Sequence, residues 1–210
     1  MEWKQFVLGP LQTNGYCVIN GDRCLFVDPG WEGEKIIEYI EKNKLKLEAI
    51  LLTHAHFDHI GAVDDIRMKY KVPVYAHERE KDWFQNPMLN GSGLFFPNDP
   101  IQINSADEWI RGEGTLELAG LSLHVFETPG HSPGSVSFYV ENEFVICGDT
   151  LFAEGIGRTD LPGGDFKQLM DTIRQKLFVL PGDTVVLPGH GPVTNIRKER
   201  ETNPFLSMID

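Results

Sequence analysis

Seven side chains constrain this sequence more than anything else in it. His54, His56, Asp58 and His59 crowd into the run Thr53-His54-Ala55-His56-Phe57-Asp58-His59, and His131, Asp149 and His190 follow at wide intervals. Imidazole nitrogen and carboxylate oxygen suit borderline dications such as zinc, and this set is large enough to hold two ions while leaving room for a reactive water. A lone histidine would say little, because most sit on a surface or in a core. Here five of the chain's seven histidines join the set. Four ligand-type residues within six positions serve no purpose in a fold that binds no metal.

The segments before these residues read as strands. Tyr16–Asn20 and Cys24–Asp28 flank a Gly21-Asp22 turn and predict a hairpin. A helix follows with Ile36, Ile37 and Ile40 on one face, and then Ala49–Leu52 is a short apolar run of the kind buried on both faces. The second half repeats this grammar with strands at Leu121–Phe126, Ser135–Val140 and Phe144–Cys147. A helix carries Phe166, Leu169, Met170, Ile173 and Leu177 on one face, and a last strand spans Thr184–Leu187. In four places an apolar strand runs into a metal-type side chain just past its end: His54, His131, Asp149 and His190. Strand ends of one sheet edge would bring all of them to a shared centre, with Gly and Pro turning the backbone sharply. Thr53 or Asp58 is expected to cap a helix starting near His59 or Ile60.

Composition narrows the function. With 41% apolar residues in 210 the chain has ample material for a core. Its 19 basic against 31 acidic residues, a formal net charge of −12, argue against a nucleic-acid partner, which calls for a basic patch. Met1–Gln5 lacks a basic n-region, and no apolar run approaches the roughly 18 residues that span a bilayer, so a cytoplasmic location away from membranes is expected. Cys17, Cys24 and Cys147 lie in strand-like runs and read as buried reduced thiols.

Four motifs then carry a family resemblance. Thr53-His54-Ala55-His56-Phe57-Asp58-His59-Ile60-Gly61, Thr128-Pro129-Gly130-His131-Ser132-Pro133-Gly134, Gly148-Asp149-Thr150-Leu151-Phe152 and Gly189-His190-Gly191 together resemble the metallo-β-lactamase superfamily, in order and across nearly the whole chain. The resemblance implies an α/β fold, a four-layer αβ/βα sandwich of two packed mixed sheets, as a single domain over residues 1–210. The stretches Gly155–Asp160, Gly163–Asp165 and Glu199–Phe205 are most similar to short type II glyoxalases, which hydrolyse the thioester S-lactoylglutathione. With 20 residues after His190, the chain is expected to lack the C-terminal helical domain that holds glutathione in the longer glyoxalases.

By that resemblance His54, His56 and His131 hold one divalent ion, Asp58, His59 and His190 the other, and Asp149 bridges them with a hydroxide that attacks the substrate carbonyl. Zinc is the expected metal, with iron and manganese as alternatives. Asp58 doubles as a catalytic residue that orients the nucleophile or carries a proton, and a thiolate leaves without a general acid. The expected partner is a small-molecule thioester, met by a monomer or homodimer. A mononuclear-iron persulfide dioxygenase, which shares Gly157-Arg158-Thr159-Asp160, is the alternative; a lactonase, a phosphodiesterase and a metal-binding scaffold follow it. Arg158 is expected to bind the substrate carboxylate, against a plain Arg158–Asp160 salt bridge. His77 and His124 read as structural. Asn14 and Tyr16 are read as framing the site mouth, and residues 82–107 as a long aromatic-bearing loop, either a lid or packing.

Overall fold

Alternation along the strands sorts their side chains onto two buried faces, and the computed structural model, which describes residues 1–206, shows what covers each. The first sheet orders β1 (Glu2–Leu8), β2 (Thr13–Asn20), β3 (Arg23–Val27), β4 (Lys46–Leu51), β5 (Val74–His77) and β6 (Glu108–Ile110). The first three strands pair antiparallel and the remaining joins are parallel. The second sheet contains β7 (Gly114–Leu118), β8 (Leu121–Glu127), β9 (Val136–Val140) and β10 (Phe144–Gly148). A small hairpin of β11 (Leu151–Phe152) and β12 (Gly155–Ile156) follows, and β13 (Val185–Pro188) and β14 (Thr194–Asn195) complete the sheet. It is mixed too, through the parallel pairing of β10 with β13.

Helices α1 (Gly33–Lys42), α2 (Phe57–Ile60), α3 (Val63–Tyr70) and α4 (Ser92–Phe95) belong to the first half. In the second half are α5 (Phe166–Thr172), which runs on into a π-helical turn, and α6 (Ile196–Thr202). Tyr16, Val18, Leu25, Val27, Ala49 and Leu51 point inward and meet Leu123, Val125, Phe138 and Ile146 of the other sheet. Their neighbours Cys17, Phe26 and Ile50 point outward, under Ile36 and Ile40 of α1 and Val63 and Ile66 of α3. On the far side Val145, Cys147 and Val186 lie under Leu169, Ile173, Leu177 and Ile196. Each Val, Leu, Ile or Phe among them contributes roughly 1.5–3 kcal/mol by leaving water. Phe138→Ala, a cavity between the sheets, would cost about 3–5 kcal/mol.

The fold is thus the expected αβ/βα sandwich, with differences in detail. Phe166, counted above in a buried face, is exposed. Asp165 caps α5 by accepting from the Gln168 amide at 2.9 Å, so Phe166 begins the helix and Leu169, Met170 and Ile173 carry the packing. Neither Thr53 nor Asp58 caps α2, which starts at Phe57 behind His56 without a side-chain cap. Both side chains are taken by partners elsewhere in the buried interior. Residues 82–107 fold against the body: Trp83 and Phe84 are buried, and the Asn90 amide donates to the carbonyls of Trp83 and Ile101. All three cysteines are buried and free. Cys147 faces the α5 side, its thiol pushed up to about 12 by burial. Among the described residues no helix is long and apolar enough to cross a membrane.

Candidate metal centre

The C-terminal ends of β4, β8, β10 and β13 deliver the seven side chains to one place. His54 and His56 lie in the turn after β4, Asp58 and His59 on α2, and His131, Asp149 and His190 in the loops after β8, β10 and β13. Ligand-type atoms of His54, His56 and His131 fall within 4.8 Å of one another, as do those of Asp58, His59 and His190, and those of His54, His59 and Asp149. Asp149 Oδ2 lies 3.5 Å from His131 Nε2 and 3.5 Å from His190 Nε2, so one carboxylate oxygen stands between the two trios. Asp149 Oδ1 lies 3.4 Å from His59 Nε2. His190 is the most open of the set; its side chain keeps 29% of its exposure, against 0% for His59.

Hydrogen bonds behind the rings decide what the rings present. His59 Nδ1 faces Asp28 Oδ2 at 2.9 Å, and a carboxylate can only accept, so that nitrogen carries the proton. His131 Nδ1 likewise donates to the Arg158 carbonyl at 2.7 Å. The Thr53 hydroxyl donates to Asp28 Oδ2 at 2.6 Å, which leaves its oxygen to accept from His54 Nδ1 at 3.1 Å. The Nε2 atoms of His54 and His131 therefore present lone pairs and face each other at 3.2 Å, while His59 turns its Nε2 toward the carboxylates of Asp58 and Asp149. Two acceptor nitrogens facing each other beside a nitrogen aimed at two carboxylates form a set that a cation between them would join. His59 Nε2 and Asp149 Oδ1, both buried, have no hydrogen-bond partner.

Charge divides the site. Burial, with its histidine neighbours, holds His54 well below the ordinary range, takes His56 to about 3 and lowers His131, so this trio is neutral imidazole. In the other trio burial opposes charge but loses. Asp58, Asp149 and Asp28 hold His59 well above its usual value, and Asp149 and Asp58 raise His190 to about 10. The same two histidines keep Asp58 and Asp149 below the usual carboxylate range against their burial. Three neutral nitrogens on one side and a carboxylate-rich pocket on the other are a donor set for divalent metal.

Further residues support the site from behind. Asp28 also accepts from the Thr53 amide at 2.8 Å, and Thr13 donates to Asp58 Oδ2 at 2.7 Å. Asp28 follows the apolar run Cys24–Val27 just as His54 follows Ala49–Leu52, and that signal would have found it. Glu80, 1% exposed, accepts from the Ala55 amide at 2.6 Å, from the Gly134 amide at 2.9 Å and from the Ser132 hydroxyl. It ties the His54–His56 turn to the loop after His131. Nothing in the charged stretch Glu78–Asp82 marks Glu80 in advance. Close approach fixes two glycines: a Cβ on Gly189 would meet Asp149 Oδ1 at 2.0 Å, and one on Gly157 the Asp149 carbonyl oxygen at 1.8 Å.

The remaining candidates sort as follows. Asn14 donates to the carbonyls of Pro188 and Gly191, both at 2.9 Å, and Tyr16 to that of Pro188 at 2.7 Å; they anchor the turn that presents His190. His77 is buried, with its Nε2 2.9 Å from Glu127 Oε1 and its Nδ1 accepting from the Arg79 amide. His124 sits on β8 beside Thr115. Both are away from the site. Arg158 lines the cavity of about 340 Å³ over the histidines, where its guanidinium is paired with Asp160.

The family model described as Metallo-beta-lactamase superfamily matches residues 8–190. The chain is 50% identical over 208 residues to the "Probable metallo-hydrolase YqgX" of Bacillus subtilis, covering 99% of this chain and 98% of that one. It is 38% identical over 184 residues to the "Hydroxyacylglutathione hydrolase GloC" of Haemophilus influenzae, covering 86% of each. Among solved structures it is similar to BLEG-1 B3 metallo-beta-lactamase, 44% identical with a TM-score of 0.95 over 98% of this chain and all of that one. It is also similar to TTHA1623 in a di-iron-bound form, 40% identical with a TM-score of 0.84 over 97% of this chain and all of that one.

Proposed function

The chain belongs to the metallo-β-lactamase superfamily, and from that premise we propose that it hydrolyses thioesters of the S-lactoylglutathione type with two divalent ions. The observation that carries the reading is the convergence of histidine nitrogens and carboxylate oxygens into two trios joined by Asp149, at the floor of a cavity of about 340 Å³. That volume is at the small end for ligand pockets. In this reading His54, His56 and His131 hold one ion, Asp58, His59 and His190 the other, and Asp149 both. The similarity to GloC supports the thioester, and the di-iron form of TTHA1623 supports the count of two ions while leaving iron beside zinc as the metal.

Bound dications supply Lewis acidity and bring water toward a pKa of roughly 7. The chain's own residues do the rest. Asp58, fixed through Oδ2 by the Thr13 hydroxyl, stands 3.3 Å from His190 Nε2 at the open side of the site, where it orients the attacking water and holds its proton. Asp28 and the Arg158 carbonyl keep the His59 and His131 rings from turning while charge develops. The apolar walls exclude bulk water, which strengthens every charge interaction inside. A thiol leaving group, with a pKa near 8.5 for an ordinary thiol, departs as thiolate without a proton donor.

The test is hydrolysis of S-lactoylglutathione and related thioesters by protein of measured metal content. Two ions per chain with turnover that a chelator abolishes support the reading; one iron with oxygen consumption and no thioester hydrolysis overturns it. The similarity to BLEG-1 favours a second reading, hydrolysis of a β-lactam amide at the same centre. An amide nitrogen must be protonated to leave, and Asp58 is the group placed to do it. Turnover of a chromogenic cephalosporin above that of thioesters would select this reading.

A further inference from the structure

The walls above the ligand residues are apolar. Leu11 from the turn before β2, Phe57 from α2, Phe95 from α4, Phe152 and Ile156 from the β11–β12 hairpin, and Leu161 surround the cavity of about 340 Å³. Leu11 and Phe95 are exposed and Phe57 is buried, so the apolar surface runs from the mouth to the floor. An adjoining cavity shares Leu11 and His190 and is otherwise lined by Val7, Gln12, Asn14 and Gly191, none of them charged. Among the described residues along both cavities, Arg158 is the single Lys or Arg.

Its guanidinium is already engaged. Nε and Nη2 donate to the two oxygens of Asp160, each at 2.7 Å, in a bidentate fork. The pair is exposed and contributes little to stability. Its consequence lies in competition. Asp160 is two residues away on the same chain and acts at an effective concentration in the millimolar range or above, so a substrate carboxylate only exchanges one fork for another.

Resting on the thioester reading above, we infer that the site selects thioesters whose groups at the mouth are uncharged and apolar, and that Asp160 is a specificity-determining residue because it occupies Arg158. A carrier such as glutathione brings two carboxylates and an ammonium against Leu11, Phe95 and Leu161. Where these walls strip water from a charge without giving it a partner, the charge is disfavoured. A neutral acylated cysteamine meets the same walls with methylene and amide groups, and its apolar part is what they bury.

The experiment compares lactoyl thioesters of N-acetylcysteamine and of glutathione, hydrolysed by metal-loaded wild type and by Asp160→Ala. Calorimetry with thioether analogues, in which a methylene replaces the thioester carbonyl, runs alongside. Wild type is expected to favour the neutral thioester about tenfold in kcat/KM, and Asp160→Ala to reduce that ratio about tenfold by lowering KM for the glutathione thioester. Equal or better use of the glutathione thioester by wild type overturns the inference, and an unchanged ratio in the variant overturns the part given to Asp160. Tighter binding of the neutral thioether by a protein that hydrolyses neither thioester would sink the proposed reaction yet uphold the selectivity. Tighter binding of the glutathione thioether would sink the selectivity alone.

Discussion

The two halves of the molecule supply ligand residues to one centre in different ways. The first half places four of them in a single turn and helix after β4, so their mutual spacing is set by a few backbone angles. The second half supplies three from three separate strand ends, and only the pairing of β8, β9, β10 and β13 brings them together. A locally encoded cluster meets a globally assembled one. Binding strength then depends on what locks the two together: Asp149 in front of the rings and Glu80 behind them.

Asp149→Ala should break the arrangement most severely. If this carboxylate joins both trios, its removal lowers the ion content of both and reduces hydrolysis on the order of 10³-fold, several kcal/mol of charge stabilisation at tenfold per 1.36 kcal/mol. One ion retained with undiminished turnover would mean that the first half works alone.

Glu80→Ala comes next. It leaves buried donors of Ala55, Ser132 and Gly134 without their acceptor, at about 1–3 kcal/mol each. A loss of about 3 kcal/mol in urea unfolding is expected, with weaker metal binding; stability within 1 kcal/mol of wild type, against the roughly 0.5 kcal/mol of an ordinary surface change, would rule out the clamp. Asp28→Asn, which acts within the first half only, should reduce metal affinity about 10–100-fold by freeing the His59 ring, as read by competition with a chelator.

Glu80 also gives the lock a pH signature. Burial pushes its carboxyl from 4.5 up to about 7 despite its three donors. Between those values the folded chain holds a proton that the unfolded chain has lost, so this contribution is complete below about pH 4.5 and disappears as pH rises through 7. The difference in urea midpoint between wild type and Glu80→Gln should fall over that window; a flat difference would contradict the assignment. The smallest effect belongs to Tyr16→Phe, which removes one hydrogen bond to the Pro188 carbonyl behind His190 and should cost about 1 kcal/mol of stability with activity nearly intact.

Much of this was legible in the chain. The continuous apolar run Ala49–Leu52 marks a strand buried on both faces, and the ligand residues announce themselves because four apolar runs each lead into a histidine or aspartate of metal-binding type. Glu80 was not legible, since a glutamate among charged neighbours looks solvent-exposed until two loops close over it. Arg158 was ambiguous for a related reason: the sequence puts Asp160 in reach, but only the structure shows the fork closed at 2.7 Å.

The sequence by itself determined the strands and the chemical kind of the site, because periodicity and side-chain chemistry are local properties that a linear chain displays, and its four motifs carried the resemblance that implied the family and the sandwich. The tertiary structure alone decided which nitrogen of each ring faces inward, which oxygen of Asp149 joins the trios and that the walls above them are apolar. These depend on contacts between residues as far apart as Thr13 and Asp58, or His131 and Arg158, and such contacts exist only once two sheets have packed and brought their strand ends to one edge.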